Sequence, residues 1–436
     1  MGLVVAPHLA GAELEPATAG AGAGAGEALD PHRLEVAGLP AINYDSDLGL
    51  GLGAVLVLAK FDPRVTPYRW RLEALALVAL KVEAGGLSIP FHNHSALLDV
   101  PGLWDGVLRL NLQASFRRLS TSGWYGFGSA SIPRSVSAAE LSLDPALSRY
   151  HQYERTSPSL RAIARVRIHD EPVPIGLSRL EVFGGAEISR SWIALYPKSL
   201  LEADRDRARS ASTAGDRVLA ELLHGTEDHW RLLLLAGLLW DTRDHETVPS
   251  RGGLLELSVR ASPAVDAGLA YVGFTLSTSW YWTLLDPYLV LATRVIGDVI
   301  AGEPPLYALS SFGTLFPTSG PGGSYSTRGV LLDRFHGQIK LLGNLELRAR
   351  LLFFELFEQR LELGGAIFSD VGRVWADFSG RELDGRRLDG PFFHLQAAFG
   401  GGLRFRWGET FLLRAEVGHA PTDRTTSVYV DINQAF

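Results

Sequence analysis

Three side chains far apart in the chain could form one ionic site. Arg328 carries a planar guanidinium that can serve two carboxylates at once, which a lysine ammonium cannot do. Glu346 and Asp370 are candidate carboxylates, and Gly329 beside the arginine would let the backbone turn tightly. The residues alone leave two arrangements open. Arg328 reaches both carboxylates, or it stays solvated while Glu346 and Asp370 pair with Arg348, Arg350 or Arg373. His92-Asn93-His94 places two imidazoles on one strand face, where they could ligate a metal, but no third ligand is evident. Asp241, Asp244, His245 and Glu246 crowd a short turn and read as solvated charges. Gly49, Gly51 and Gly53 lack the spacing and following helix of a dinucleotide loop. There is no phosphate-binding Gly-Lys and no Gly-x-Ser-x-Gly elbow. No nucleophile, base and orienting partner assemble, so neither enzyme activity, a cofactor nor a metal is expected.

The elements that would position these residues are strands. Of 436 residues, 46% are hydrophobic and 20% charged, too apolar for a disordered chain. Without cysteine there is no disulfide framework or thiolate chemistry. The net charge of −7 carries no basic block, which excludes nucleic acid as a partner. Leu232 to Trp240, the longest nearly apolar run, is about half of what a spanning helix needs. Alternation with period two is the dominant pattern. Leu160, Ala162, Ala164, Val166 and Ile168 alternate with Arg161, Arg165, Arg167 and His169; Ile339, Leu341, Leu345 and Leu347 alternate with Lys340, Asn344, Glu346 and Arg348. A soluble sandwich alternates too. Long strands, charge-rich polar faces and aromatics near strand ends (Trp70, Trp124-Tyr125, Trp230, Trp240, Trp280 to Trp282, Trp375, Trp407) favour a barrel with a wet interior and an interfacial girdle.

Segmentation predicts an all-β fold: a transmembrane antiparallel barrel of sixteen strands over residues 34–436. The strands fall near 36–44, 47–60, 68–83, 86–98, 105–119, 151–170, 174–193, 226–242, 250–263, 267–284, 286–299, 335–351, 357–376, 392–407, 409–420 and 425–436. Long connections at 120–150, 194–225, 300–334 and 377–391 all follow odd-numbered strands, and the others are short. This is the outer-membrane arrangement, with periplasmic termini and long loops outside. One helix is predicted, over 198–223. Residues 1–33, with the run Gly20 to Gly26 and no Lys or Arg before Arg33, lack the positive start and roughly 7–15-residue apolar core of a secretory signal. They read as a flexible arm.

The closing seam should be weak. The first strand is short and contains Pro40, which has no backbone donor and belongs at an edge. Its Pro40, Ile42 and Tyr44 would meet the last strand, whose Val428, Val430, Ile432 and Phe436 are expected on the lipid face.

From residue 36 onward the chain resembles the bacterial surface antigen superfamily of outer-membrane barrels. These include the assembly barrels of the BAM and TAM machines and the two-partner secretion transporters. Asp241 to Gly252 is similar to its DTRD…PxRG stretch, and Ser326-Thr-Arg-Gly-Val330 to the sixth-loop [VL]RG[FY] motif. Asn344 to Arg348 is similar to its NxELR strand and Phe368 to Gly372 to its FxDxG strand. Val330 departs from the motif, which has an aromatic there. About 35 residues before the barrel are too few for a POTRA module, so a barrel-only member is expected. The resemblance implies a latch of Arg328 and Gly329 with Glu346, Asp370 and Gly372, a lateral gate at the seam, and an assembly signal in Phe436. It implies insertion or translocation of protein or lipid in the outer membrane, with outer-membrane proteins or a separate periplasmic protein as partners; no oligomeric state is implied. Two other functions fit the sequence: a passive pore or structural barrel, and a receptor or adhesin using the long loops.

Overall fold

A computed structural model describes residues 32–436 apart from 64, 84–85, 174–175, 246–247, 317, 357–358, 392, 408–410 and 433. All but the last two residues of the expected arm lie outside the described residues. Sixteen antiparallel strands close into one barrel, each paired with its neighbours in the chain. The first eight are β1 (Leu34–Asp45), β2 (Gly49–Asp62), β3 (Val65–Glu83), β4 (Gly86–Leu103), β5 (Leu108–Gly123), β6 (Gln152–Val173), β7 (Gly176–Leu195) and β8 (His229–Asp241). The others are β9 (Gly252–Ser262), β10 (Tyr271–Leu285), β11 (Leu289–Gly302), β12 (Ile339–Leu356), β13 (Gln359–Trp375), β14 (Gln396–Trp407), β15 (Phe411–Ala420) and β16 (Thr425–Ile432).

The alternation sets the facing of every strand. On β12, Asn344, Glu346 and Arg348 are buried while Leu341 and Leu345 are exposed. On β15, Arg414 and Glu416 are buried while Val417 is exposed. Charge therefore lines the interior and oily side chains the outside, the reverse of a soluble sandwich and the arrangement of a membrane barrel. No helix among the described residues is long and apolar enough to cross a membrane.

The helix expected over 198–223 is two helices, α1 (Leu200–Ser210) and α2 (Ala214–Leu222). The first ends at Ala211, whose φ of 46° is left-handed. The second starts at a capping box in which Thr213 and Asp216 satisfy one another's backbone donors. Short helical turns also lie at Ala138–Leu143 and Pro145–Arg149 in the preceding long loop and at Leu306–Leu309 in a later one.

The long loops pack into a cap over one end of the barrel. Trp124, Phe127, Leu201, Leu219, Leu306 and Leu388, from four different connections, share one core. Trp124, expected in the interfacial girdle, is instead fully buried there, and its indole donates to Asp204 at 2.9 Å. The reason is local: the strand before it ends at Gly123, so the ring follows the loop inward rather than the wall. Arg207 ties α1 to Asp216 at 2.8 Å and to Asp384 of the 376–395 connection at 2.9 Å.

His336 sits in this cap, its ring edge against Trp124 at 4.8 Å. Burial, with Lys340 and Arg334 nearby, pushes its imidazole from 6.5 down to about 3. The folded ring stays neutral while the unfolded one takes a proton, so cap stability should fall as pH drops below 6.5 and continue falling to about 3. Protease sensitivity of the loops measured against pH should show this loss, and His336→Gln should flatten it; an unchanged slope would refute the assignment.

Candidate functional site

The connection 303–338 does not stay in the cap. It folds back into the barrel interior and fastens to two walls. On the first, Leu315 donates its amide to Glu256 of β9 at 2.5 Å and accepts from Arg161 of β6 at 2.7 Å. Gly313 accepts from Ser258 of β9 at 3.2 Å. Sequence reading did not find this anchor, because its loop partners are backbone groups that leave no residue-type signature.

On the second wall the structure brings Arg328, Glu346 and Asp370 together. Arg328 forks onto Asp370 through Nε and Nη2, both at 2.9 Å, and its amide donates to the same carboxylate at 3.0 Å. Nη1 turns to Glu346 and, at 3.3 Å, to Glu416 of β15. The guanidinium stacks 3.5 Å from the Phe368 ring. All three partners of the expected set are fully buried.

The set is part of a larger network that the sequence did not single out. Glu346 also accepts from Arg348 at 2.7 Å and Arg404 at 3.1 Å; Glu416 accepts from Arg404 at 2.9 Å and Arg414 at 2.5 Å. Arg414 continues to Asp431 of β16 at 3.1 Å. Carboxylates and guanidiniums alternate through the chain of contacts, which is how buried charge is tolerated. Burial alone would favour a neutral Arg328, yet Glu346, Asp370 and Glu416 hold its pKa well above the usual arginine value. Glu416, Arg404 and Arg414 follow the inward alternation of their strands, but nothing in their spacing separates them from other interior charges.

Glycines allow the loop to lie this close. Gly329 has a φ of 101°, and a Cβ there would sit 2.7 Å from the Gly418 carbonyl carbon. A Cβ on Gly372 would meet Pro321 at 2.8 Å. The Gly329 amide donates to the Tyr429 hydroxyl at 3.1 Å, and its carbonyl accepts from Thr425 at 2.6 Å, so the loop grips β16 directly. Val330, which stands where the motif has an aromatic, is buried with Phe335, Val374, Ala398 and Ala420. Leu332 donates to Asp47, in the turn between β1 and β2, at 2.8 Å.

The seam is narrow. Only Tyr44 with Val430 and Asp45 with Tyr429 pair β1 to β16, supplemented by the Ser46 amide donating to Val428 at 3.2 Å. Pro40, Ile42, Tyr44 and Val428 are exposed on the outer face, with Val430 and Ile432 in line. Phe61 donates to Arg33 across the β1–β2 ladder, so in this register odd residues of β1 bond to β2 and even residues aim at the seam. The absent donor of Pro40 therefore falls on the seam side. Among the described residues no strand pairs with that edge between Leu34 and Asn43.

Phe436 is a correction. Expected on the lipid face, it turns into the interior beside Tyr281, Val290 and Ala292. Arg294 and Arg348 lie 4.7 and 5.0 Å from its ring; Arg294 donates to the Ala435 carbonyl at 3.2 Å and Arg348 to that of Phe436 at 2.9 Å. These anchors draw the chain off the wall after Ile432. Two other groupings resolve simply. His92 and His94 face outward, and no cluster of three potential metal ligands occurs among the described residues. Asp241 pairs with Arg243 at 2.8 Å and Asp244 accepts from the Ser250 amide at 2.9 Å, so these turn carboxylates are engaged rather than merely solvated.

A model of the Omp85 superfamily domain matches residues 181–436. The chain belongs to the Omp85 superfamily. This Omp85 barrel is accordingly a bacterial outer-membrane protein and not an enzyme. Among solved structures it is similar to BamA from Haemophilus ducreyi lacking POTRA domains 1-3, at 12% identity and a TM-score of 0.56 over 92% of this chain and 70% of that one. It is also similar to CdiB from Acinetobacter baumannii, at 13% identity and a TM-score of 0.49, where it covers 92% of its own length and 59% of the other's. The BamA likeness shows the fold. No curated protein matches the chain.

Removing Arg328 would leave Glu346, Asp370 and Glu416 buried without their common partner, a change worth roughly 3–5 kcal/mol for a buried pair. Arg328→Ala should loosen the loop, raising single-channel conductance and exposing residues 303–338 to protease. Arg328→Lys should rescue little, since an ammonium cannot fork. Wild-type conductance and cleavage in both variants would remove the latch assignment.

Proposed function

We propose that this Omp85 barrel inserts or translocates polypeptide segments, using the seam edge of β1 as a template. The carrying observation is that edge: the even residues from Leu34 to Ile42 aim their backbone groups at the seam, next to a ladder of two paired rungs. Unpaired N–H and C=O groups in a membrane wall are costly, and an arriving strand satisfies them by β-augmentation. Polypeptide suits this edge better than lipid, which has no matching row of donors and acceptors. The inward turn of Gln434 to Phe436 supports the reading, because it leaves the place beside β1 to a guest.

In the proposed orientation the termini and short turns face the periplasm and the long loops face outward. The guest strand then enters from the periplasmic side, and a soluble periplasmic partner would deliver it. A passive pore is less well supported, since the 303–338 loop spans the interior from Leu315 to Arg328 and a packed cap overlies it. An adhesin role is less well supported, since the long loops spend many apolar side chains on a shared core, although Ile132, Leu143, Phe378 and Phe393 stay exposed.

The chain has no cysteine, so an introduced pair is unambiguous. Continuing the seam register places Ile42 opposite Ile432. With Ile42→Cys and Ile432→Cys oxidised, proteoliposomes should assemble an unfolded β-barrel substrate no faster than empty liposomes, and reductant should restore the rate. Full activity with the seam cross-linked would overturn the proposal.

A further inference from the structure

We propose that the outward face of β4 to β8, near the long-loop end, is a binding site for a phosphorylated membrane lipid. An acyl chain lies in a wall groove, and the headgroup oxygens accept from His92, His94 and Arg118. The groove has a volume of about 510 Å3 and is lined by Ala96, Ala114, Pro158, Leu160, Ile188 and Trp230. That lies within the range of about 300–1,000 Å3 typical of small-ligand sites.

Two features of the sequence create it. Ala96 and Ala114 are opposite one another across the β4–β5 ladder, a low spot between bulkier outward neighbours. Pro158 then interrupts the wall. The β6–β7 ladder passes from Thr156 with Trp192 to Ser159 with Ser189, skipping the proline, which has no donor to give. Proline inside a central strand is otherwise avoided, so its presence here marks a place where the wall is not simply a wall.

The rim is polar where it should be oily. His94 stacks on Phe116 at 6.1 Å and meets His92 edge-on at 5.9 Å. Both imidazoles face the membrane, and neither has a hydrogen bond to the described residues. A polar group left unsatisfied there is costly, and a lipid ester or phosphate oxygen satisfies it. Arg118 stands opposite His92 in the register and is held by Glu154 at 2.8 Å. Arg149, 4.7 Å over the Tyr196 ring, and Arg190, 3.5 Å from Asp266, complete the rim. These guanidiniums are the donors that a phosphate takes in preference to a neutral headgroup. Trp192 and Trp230 are exposed at the same level, as interfacial tryptophans are. Placing this lipid in the outer leaflet rests on the orientation proposed above; the site itself does not.

Native mass spectrometry of the intact barrel, released from micelles doped with phosphatidylglycerol or with phosphatidylcholine of the same acyl chains, tests it. Micelles have no leaflets, so the result is independent of orientation and of seam activity. The wild type should retain phosphatidylglycerol in preference. Ala114→Trp fills the groove and should lower retention of both lipids about tenfold, equivalent to about 1.4 kcal/mol. His94→Leu combined with Arg118→Gln should abolish the headgroup preference and keep the neutral lipid. Heat-modifiable gel migration reports folding, and Ala96→Phe replaces Ala114→Trp should that variant not fold. Undiminished phosphatidylglycerol retention with the groove filled, or equal retention of both lipids by the wild type, would overturn the site.

Discussion

Everything at the core of this barrel depends on one guanidinium held away from water. Arg328 has Asp370 on two of its nitrogens and Glu346 and Glu416 on the third. Each of those carboxylates except Asp370 is shared with other arginines, so no member can be removed without stranding a charge that has no route to solvent. The interior around it is shaped accordingly. Gly329, Gly372 and Gly418 give the loop room to press against the wall, and Asn344 supports Asp370 at 2.7 Å.

The same loop reaches both sides of the closing seam. Gly329 is bound to Tyr429 and Thr425 on β16, and Leu332 to Asp47 in the turn after β1. The two rungs of the seam lie at that end of the strands, beneath those contacts. Toward the opposite end the loop still reaches β16 through the Tyr325 hydroxyl, which donates to the Ile432 carbonyl at 3.4 Å, but β16 then leaves the wall and the pairing stops. Closure is thus firmest where the loop is bound on both sides of the seam. The second anchor at Leu315 fastens the loop to the opposite wall, so the Arg328 network and the seam share one loop held at both places.

Much of this was legible because a barrel wall writes its facing into every second residue. That periodicity placed Glu346 and Asp370 inside, and the spacing of the family motifs drew attention to Arg328. Where tertiary contacts override the period, the reading failed. The alternation of β16 points Phe436 outward, but Arg294 and Arg348, over a hundred and nearly ninety positions earlier, turn it inward. Trp124 lies at a strand end, as a girdle residue would, but the chain there has already entered a loop core. The break in the 198–223 helix was legible in Thr213 and Asp216, a capping pair within a stretch dominated by helix-forming charges. The Leu315 anchor could not be read at all, since any residue offers an amide and a carbonyl.

Pro40 carries a consequence for turnover. In the templating role proposed above, a visiting strand that zips along this margin would find one stitch absent partway up, on the side it must grip. Adhesion would then be strong enough to align the visitor and too incomplete to retain it. A margin with a full row of donors would make a better glue and a worse catalyst of release, and one imino acid sets the difference.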